Sequence, residues 1–162
     1  MKPYSKGLNF ITHEQLVKRA KKWLEKAHGN KFACGVVLTE YTCWLPEIPD
    51  VIGFNADRSI LIECKVSRAD FKADKKKSCR QHIKQLGNLR YYLTLPHVAC
   101  PEDIENGWGL LYATDEKITE VKESQYFIDD KTKAKEWSIL YSIVRRLNLR
   151  GLLKDIQEPL PK

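Results

Sequence analysis

Asp50, Glu63 and Lys65 are the residues whose types and spacing best suit chemistry in this chain. Val51, Ile52 and Phe54 lead into a turn at Asn55, Ala56, Asp57 and Arg58. Ile60, Leu61, Ile62 and Val66 follow it, and the whole stretch reads as two short strands joined tightly. Strand side chains alternate, so Ile60, Ile62, Cys64 and Val66 share one face while Leu61, Glu63 and Lys65 share the other. Charges in so apolar a strand must be paired or bound to a cation. A hairpin folds Asp50 back beside Glu63, so two carboxylates converge with an ammonium next to them. Such hard oxygen donors suit Mg²⁺, with Mn²⁺ as its substitute, and the backbone carbonyl of Cys64 could be a third ligand. A divalent ion held there polarises a phosphate and lowers the pKa of water. Lys65 can orient that water or stabilise the charge developing on the phosphate. The chemistry that fits is phosphodiester hydrolysis. The plainer alternative, a surface hairpin with a Glu/Lys cross-pair, sits poorly with the apolar run around it.

Pro49-Asp50, then twelve residues, then Glu63-Cys64-Lys65 resembles the PD-(D/E)XK nuclease signature. The segment from Ser67 to Lys76, Arg90-Tyr91-Tyr92-Leu93, and the segment from Gly107 to Tyr112 resemble one branch of that superfamily, the small bacterial and phage proteins similar to MmcB-like DNA-repair nucleases. The likeness covers residues 12–122. It implies a Mg²⁺-dependent deoxyribonuclease with a restriction-endonuclease-like core, leaving a 5′-phosphate and a 3′-hydroxyl. It also implies that a first-helix Glu reaches the metal, here Glu14, and that a Gln on the helix after the Glu-x-Lys strand is directed at the site, here Gln85. The metal set is then Asp50, Glu63 and Cys64, with Glu14 or Glu40 available to complete a second ion site. Two readings stay open for both acids: Glu14 can instead favour the positive end of its helix, and Glu40 can be an exposed loop acid. Homodimers are common in the superfamily and would let two sites cut both strands. The same fold can also serve a silent DNA- or protein-binding subunit, or an enzyme that cuts RNA, since the chemistry does not use the 2′-hydroxyl.

Composition sets the frame. A chain of 162 residues suits one domain with a real core, and a hydrophobic share of 43% with four Trp and seven Tyr excludes a disordered chain. The formal charge of +7 suits a polyanionic partner, most simply DNA. Five cysteines without a CxxC pair read as free thiols in a reducing compartment, so a cytoplasmic protein of a bacterium or phage-infected host is expected. No apolar run is long enough to cross a membrane, and Met1-Lys2-Pro3-Tyr4-Ser5-Lys6 lacks the h-region of a leader.

Several elements must position the three residues. Residues 1–11 read as a loose arm. Thr12 with Gln15 is a capping box opening a helix whose Leu16, Val17, Ala20, Trp23, Leu24 and Ala27 recur at helical spacing, ended by Gly29-Asn30. His13 reads as capping or solvent-exposed. Phe32 to Thr39 is an apolar strand. After the hairpin, Ser67 caps a second helix bearing Arg68, Lys72, Lys75, Lys76, Lys77, Arg80 and Lys84, a face fit to contact phosphates. Asp70 and Asp74 read as partners of those basic residues, and Phe71 as the anchor to the core. Leu89–Leu95 is a strand stopped by Pro96, Pro101-Glu102-Asp103 a short turn, and Trp108–Ala113 and Ile118–Lys122 two further strands. A helical pattern runs from Lys131 to Ile156 with Trp137, Leu140, Ile143 or Val144, and Leu147 as its apolar stripe. Arg145, Arg146 and Arg150 lie on its polar side, and residues 157–162 read as a frayed tail. The order predicts an α/β domain, a central mixed sheet with helices on both sides.

Overall fold

The computed structural model describes residues 11–27, 29–46, 48–78 and 86–156 of the chain. Its elements are α1 (His13–Lys26), β1 (Val36–Thr39), β2 (Val51–Phe54), β3 (Ser59–Lys65), α2 (Arg68–Ser78), β4 (Leu89–Thr94), a one-turn 3-10 helix (Pro101–Asp103), β5 (Gly109–Ala113), β6 (Ile118–Lys122), α3 (Asp130–Leu149) and α4 (Leu153–Ile156). The six strands form one mixed sheet in sequence order. β1, β2 and β3 are an antiparallel meander, β4 and β5 run parallel to β3, and β6 returns antiparallel. A parallel neighbour requires a crossover, and α2 begins the one between β3 and β4. Among the described residues, no helix is long and apolar enough to cross a membrane.

Local chemistry explains the elements that frame β3. Thr12 and Gln15 form the complete capping box of α1, which buries Leu16, Val17, Ala20 and Leu24. Asn55 builds the hairpin turn: its side-chain oxygen accepts the N–H groups of Asp57 and Arg58 at 3.1 and 2.9 Å. The Ser67 hydroxyl accepts the Asp70 N–H at 3.1 Å at the start of α2. One sheet face carries α1, where Gly53 lies against Leu24 and Phe32 meets Tyr91 edge-on. The other carries α2 and α3, through Phe71 against Tyr92 and Glu136 against Ser59. The helices therefore do lie on both sides.

Three boundaries and faces differ from expectation. The strand expected from Phe32 starts only at Val36, because Asn30 and the Leu24 carbonyl hold residues 32–34 in a turn against α1. Ile11, placed in the loose arm, packs against the core. The long last helix breaks at Gly151, whose φ of 71° suits glycine, and of its expected apolar stripe Ile143 packs against the core while most of the rest turns outward. Trp137, Leu140 and Val144 are exposed, while Thr132, Ile139 and Ser142 are buried. Polar anchors fix the rotation. Glu136 accepts from the Ser59 hydroxyl at 2.5 Å and the Gly87 N–H at 3.0 Å, Tyr41 and Ser142 share a hydrogen bond at 3.1 Å, and Arg146 donates to the Thr42 carbonyl at 2.6 Å. Residues 132, 136, 139, 142 and 146 make one helical stripe, with a single large apolar member.

Two outcomes follow. A Cβ on Gly109 would lie 2.2 Å from the Tyr91 ring and 2.7 Å from the Lys122 carbonyl, so Gly109→Ala should cost about 1–3 kcal/mol in chemical denaturation. Burial pushes the Glu136 carboxyl above its ordinary range. A raised folded-state value means that ionising this group on folding opposes stability once the pH exceeds its unfolded value. Glu136→Gln keeps both accepted hydrogen bonds, so its melting temperature should gain on the wild type as the pH rises from 4 to 7.

Candidate functional site

The hairpin register decides where the acids lie. Val51 pairs with Ile62, so the next positions outward, Asp50 and Glu63, face each other across β2 and β3. Glu40 continues the row at the end of β1: its N–H donates to the Asp50 carbonyl at 3.0 Å. On the far side, Glu63 pairs with Tyr92 of β4. A single row across four strands thus reads Glu40, Asp50, Glu63, Tyr92.

Asp50 is held by backbone. Its Oδ2 accepts the Cys64 N–H at 2.8 Å and lies 3.2 Å from His13 Nε2. Glu63 and Lys65 are 8% and 7% exposed within a strand buried along all seven residues. The Lys65 ammonium sits between two carboxylates, 3.9 Å from Glu63 Oε2 and 3.6 Å from Asp74 Oδ1. Asp74 is in turn 3.4 Å from the Tyr92 hydroxyl, which lies 3.1 Å from Glu105. Burial, then Glu105 and Asp74, push the Tyr92 phenol far above its ordinary value, so it remains a neutral donor to either acid. Stacking on Trp108, with ring centres 4.8 Å apart, and an edge contact with Phe71 fix its ring. Burial, with Asp50 and Glu63 beside it, raises the Cys64 thiol well above its usual range. Cys64 alternates with Glu63 and Lys65 along β3, so its backbone and not its side chain lies toward this row.

The expected residues divide clearly. Asp50, Glu63, Cys64 and Lys65 come together, and Glu40 joins them through its backbone while its side chain is exposed. Glu14 does not turn toward them: it pairs with Lys18 at 2.6 Å on the exposed side of α1, and that ammonium holds its carboxyl below the usual range. Its neighbour His13 is the first-helix side chain that reaches Asp50. Arg68 forms a two-pronged pair with Asp103 and donates to the Val98 carbonyl at 3.1 Å, which docks α2 on the 3-10 turn and withdraws this guanidinium from the expected phosphate face. Lys72 is exposed on α2, and Lys75, Lys76 and Lys77 lie in the same helix. Arg80, Lys84 and Gln85 fall outside the described residues. Asp74 also reaches off its own helix, to Lys65 of β3. His13, Asp74, Tyr92 and Glu105 are the site neighbours that sequence reasoning missed. The signal for Tyr92 was its place on a strand parallel to that of Glu63; Asp74 gave none beyond its helix.

The donors suit a hard divalent cation. Asp50, Glu63 and the Cys64 carbonyl are hard oxygen donors of the type that could take Mg²⁺ or Mn²⁺, although among the described residues no group of three or more acidic, His or Cys side chains is gathered as a metal site.

No family model matches this chain, and no curated protein matches it. Among solved structures it is similar to a protein of unknown function from Silicibacter pomeroyi, at 22% identity and a TM-score of 0.59, over 96% of this chain and 100% of that one. That likeness is one of fold.

Asp50→Ala removes the acceptor of the Cys64 N–H and should cost about 1–2 kcal/mol of stability. Asp50→Asn, which keeps an accepting oxygen, should lose less than half of that. Urea denaturation of the two variants checks the difference.

Proposed function

We propose that this protein is a divalent-metal-dependent nuclease of the PD-(D/E)XK kind, hydrolysing DNA phosphodiester bonds. The observation that carries the reading is the register that sets Asp50 opposite Glu63, with the Lys65 ammonium 3.9 Å from Glu63. The succession of a helix, three antiparallel strands, a helix and a parallel fourth strand is what a restriction-endonuclease-like core requires, and it accords with the signature in the sequence.

Asp50, Glu63 and the Cys64 carbonyl would hold the metal, which supplies Lewis acidity toward the phosphate and activates water. The chain's own groups do the rest. The Cys64 N–H fixes the Asp50 carboxylate in place. Asp74, steadied by Tyr92, and Glu63 hold the Lys65 ammonium where it meets the charge that develops on phosphorus-bound oxygens. The water oxygen would bond to phosphorus, giving up a proton to solvent, as the bond to the 3′-oxygen breaks and that oxygen takes a proton from solvent, giving a 5′-phosphate and a 3′-hydroxyl. Lys72, exposed on α2, would offer counter-charge for the nucleic-acid backbone.

Plasmid and single-stranded DNA should be cut with Mg²⁺ or Mn²⁺, and cutting should stop in EDTA. Glu63→Ala should abolish it, and Lys65→Ala should lower the rate by about 10²–10³-fold or more, with both variants folded by circular dichroism. Activity persisting in both rejects the assignment. DNA binding unchanged by EDTA, with no cleavage of DNA or RNA, would make the protein a binding subunit instead.

A further inference from the structure

Two features away from the proposed site meet each other. The first is the outer face of α3. Residues 137–144 carry no charge, and Trp137, Leu140, Tyr141 and Val144 are exposed at helical spacing, Trp137 to 72%. Leu152 and Ile156 are exposed beyond it. Contiguous apolar surface of this kind marks an interaction site more often than bare monomer surface. The second is a cleft of about 380 Å³ between the β2–β3 turn and the first half of α3, walled by Phe54, Arg58, Tyr126, Ile128, Lys133 and Leu140. Leu140 belongs to both, so face and cleft are continuous.

Arg58 lines the cleft beside Asp57, and its Nε is buried without a hydrogen-bond partner, 4.0 Å from Asp57 Oδ1. Basic residues outnumber acids along the face: Lys131, Lys133, Arg145, Arg146 and Arg150 lie on α3 or at its end, against Asp130 and Glu136. Glu136 is turned inward onto Ser59 and Gly87.

We propose that this face docks an acidic amphipathic segment of a partner protein. Its apolar side lies along Trp137, Leu140, Tyr141 and Val144, one side chain enters the cleft, and a carboxylate meets Arg58 and Lys133. This is the helix-in-groove mode of recognition. A second copy of the chain fits less well, because basic flank would meet basic flank. A lipid surface fits less well, because a bilayer cannot supply a projection that fills the cleft. The inference is independent of the nuclease reading: Ser59, at the cleft, is six residues along β3 from Lys65, about 20 Å.

Panning a displayed library of random 16-residue peptides on the full-length protein tests it. The enriched sequences should carry apolar residues at helical spacing with Asp or Glu beside them. A synthetic copy should bind at least about tenfold more weakly to Tyr141→Asp and to Lys133→Glu, both surface changes that leave the melting temperature unmoved. Absence of enrichment, enrichment without acidic residues, or binding indifferent to both variants would overturn it. So would a dimer seen by sedimentation, or flotation with phosphatidylserine vesicles, that Tyr141→Asp abolishes.

Discussion

A carboxylate and an ammonium lie within a strand that is buried along its whole length, and the architecture around β3 answers to that desolvation. Neither charge can stay there alone, because an unpaired buried ion is far costlier than a paired one. Lys65 is therefore bracketed by Glu63 and Asp74, Asp74 is reached by Tyr92, and Tyr92 by Glu105. Four elements are tied to one ammonium. The strand that carries the charges and the helix that answers them are consecutive in the chain, so the pairing also sets how α2 leaves the sheet.

The region contrasts with the rest of the surface. In a chain of formal charge +7, Asp50, Glu63, Asp74 and Glu105 gather around Lys65 and His13. Acids gathered within a basic protein suit the proposed nuclease, whose periphery would draw in a polyanion while the acids take a cation. The Arg68–Asp103 pair shows that not every basic residue near these acids serves the periphery. That guanidinium clamps α2 to the loop after β4 and holds the Asp103 carboxyl well below its usual range.

Much of this was legible in the residues. Alternation placed Glu63 and Lys65 on one face, and the Asn55 turn fixed the register that brings Asp50 back, because both signals are local. The capping box at Thr12 and the Ser67 cap set two helix starts for the same reason. What failed depended on distant partners. The rotation of α3 is fixed by Ser59, Gly87, Tyr41 and Thr42, polar groups far away in sequence, and hydrophobic periodicity is blind to such anchors. Glu14 was the natural acid to aim at the metal, yet a lysine one turn along captures it and leaves the adjacent imidazole at Asp50. Asp74 read as a counter-ion of its own helix, and nothing local signals that it also meets Lys65 on a strand.

The sequential order of the strands bears on how the molecule is made. Each strand pairs only with its immediate predecessor and successor, so the sheet can grow from one edge as the chain emerges from the ribosome, without waiting for a distant segment. Asp50, Glu63, Lys65 and Tyr92 all lie on or beside the first four strands. The row of Glu40, Asp50, Glu63 and Tyr92 can thus assemble while α3, which is anchored to the sheet through Glu136, is still being synthesised.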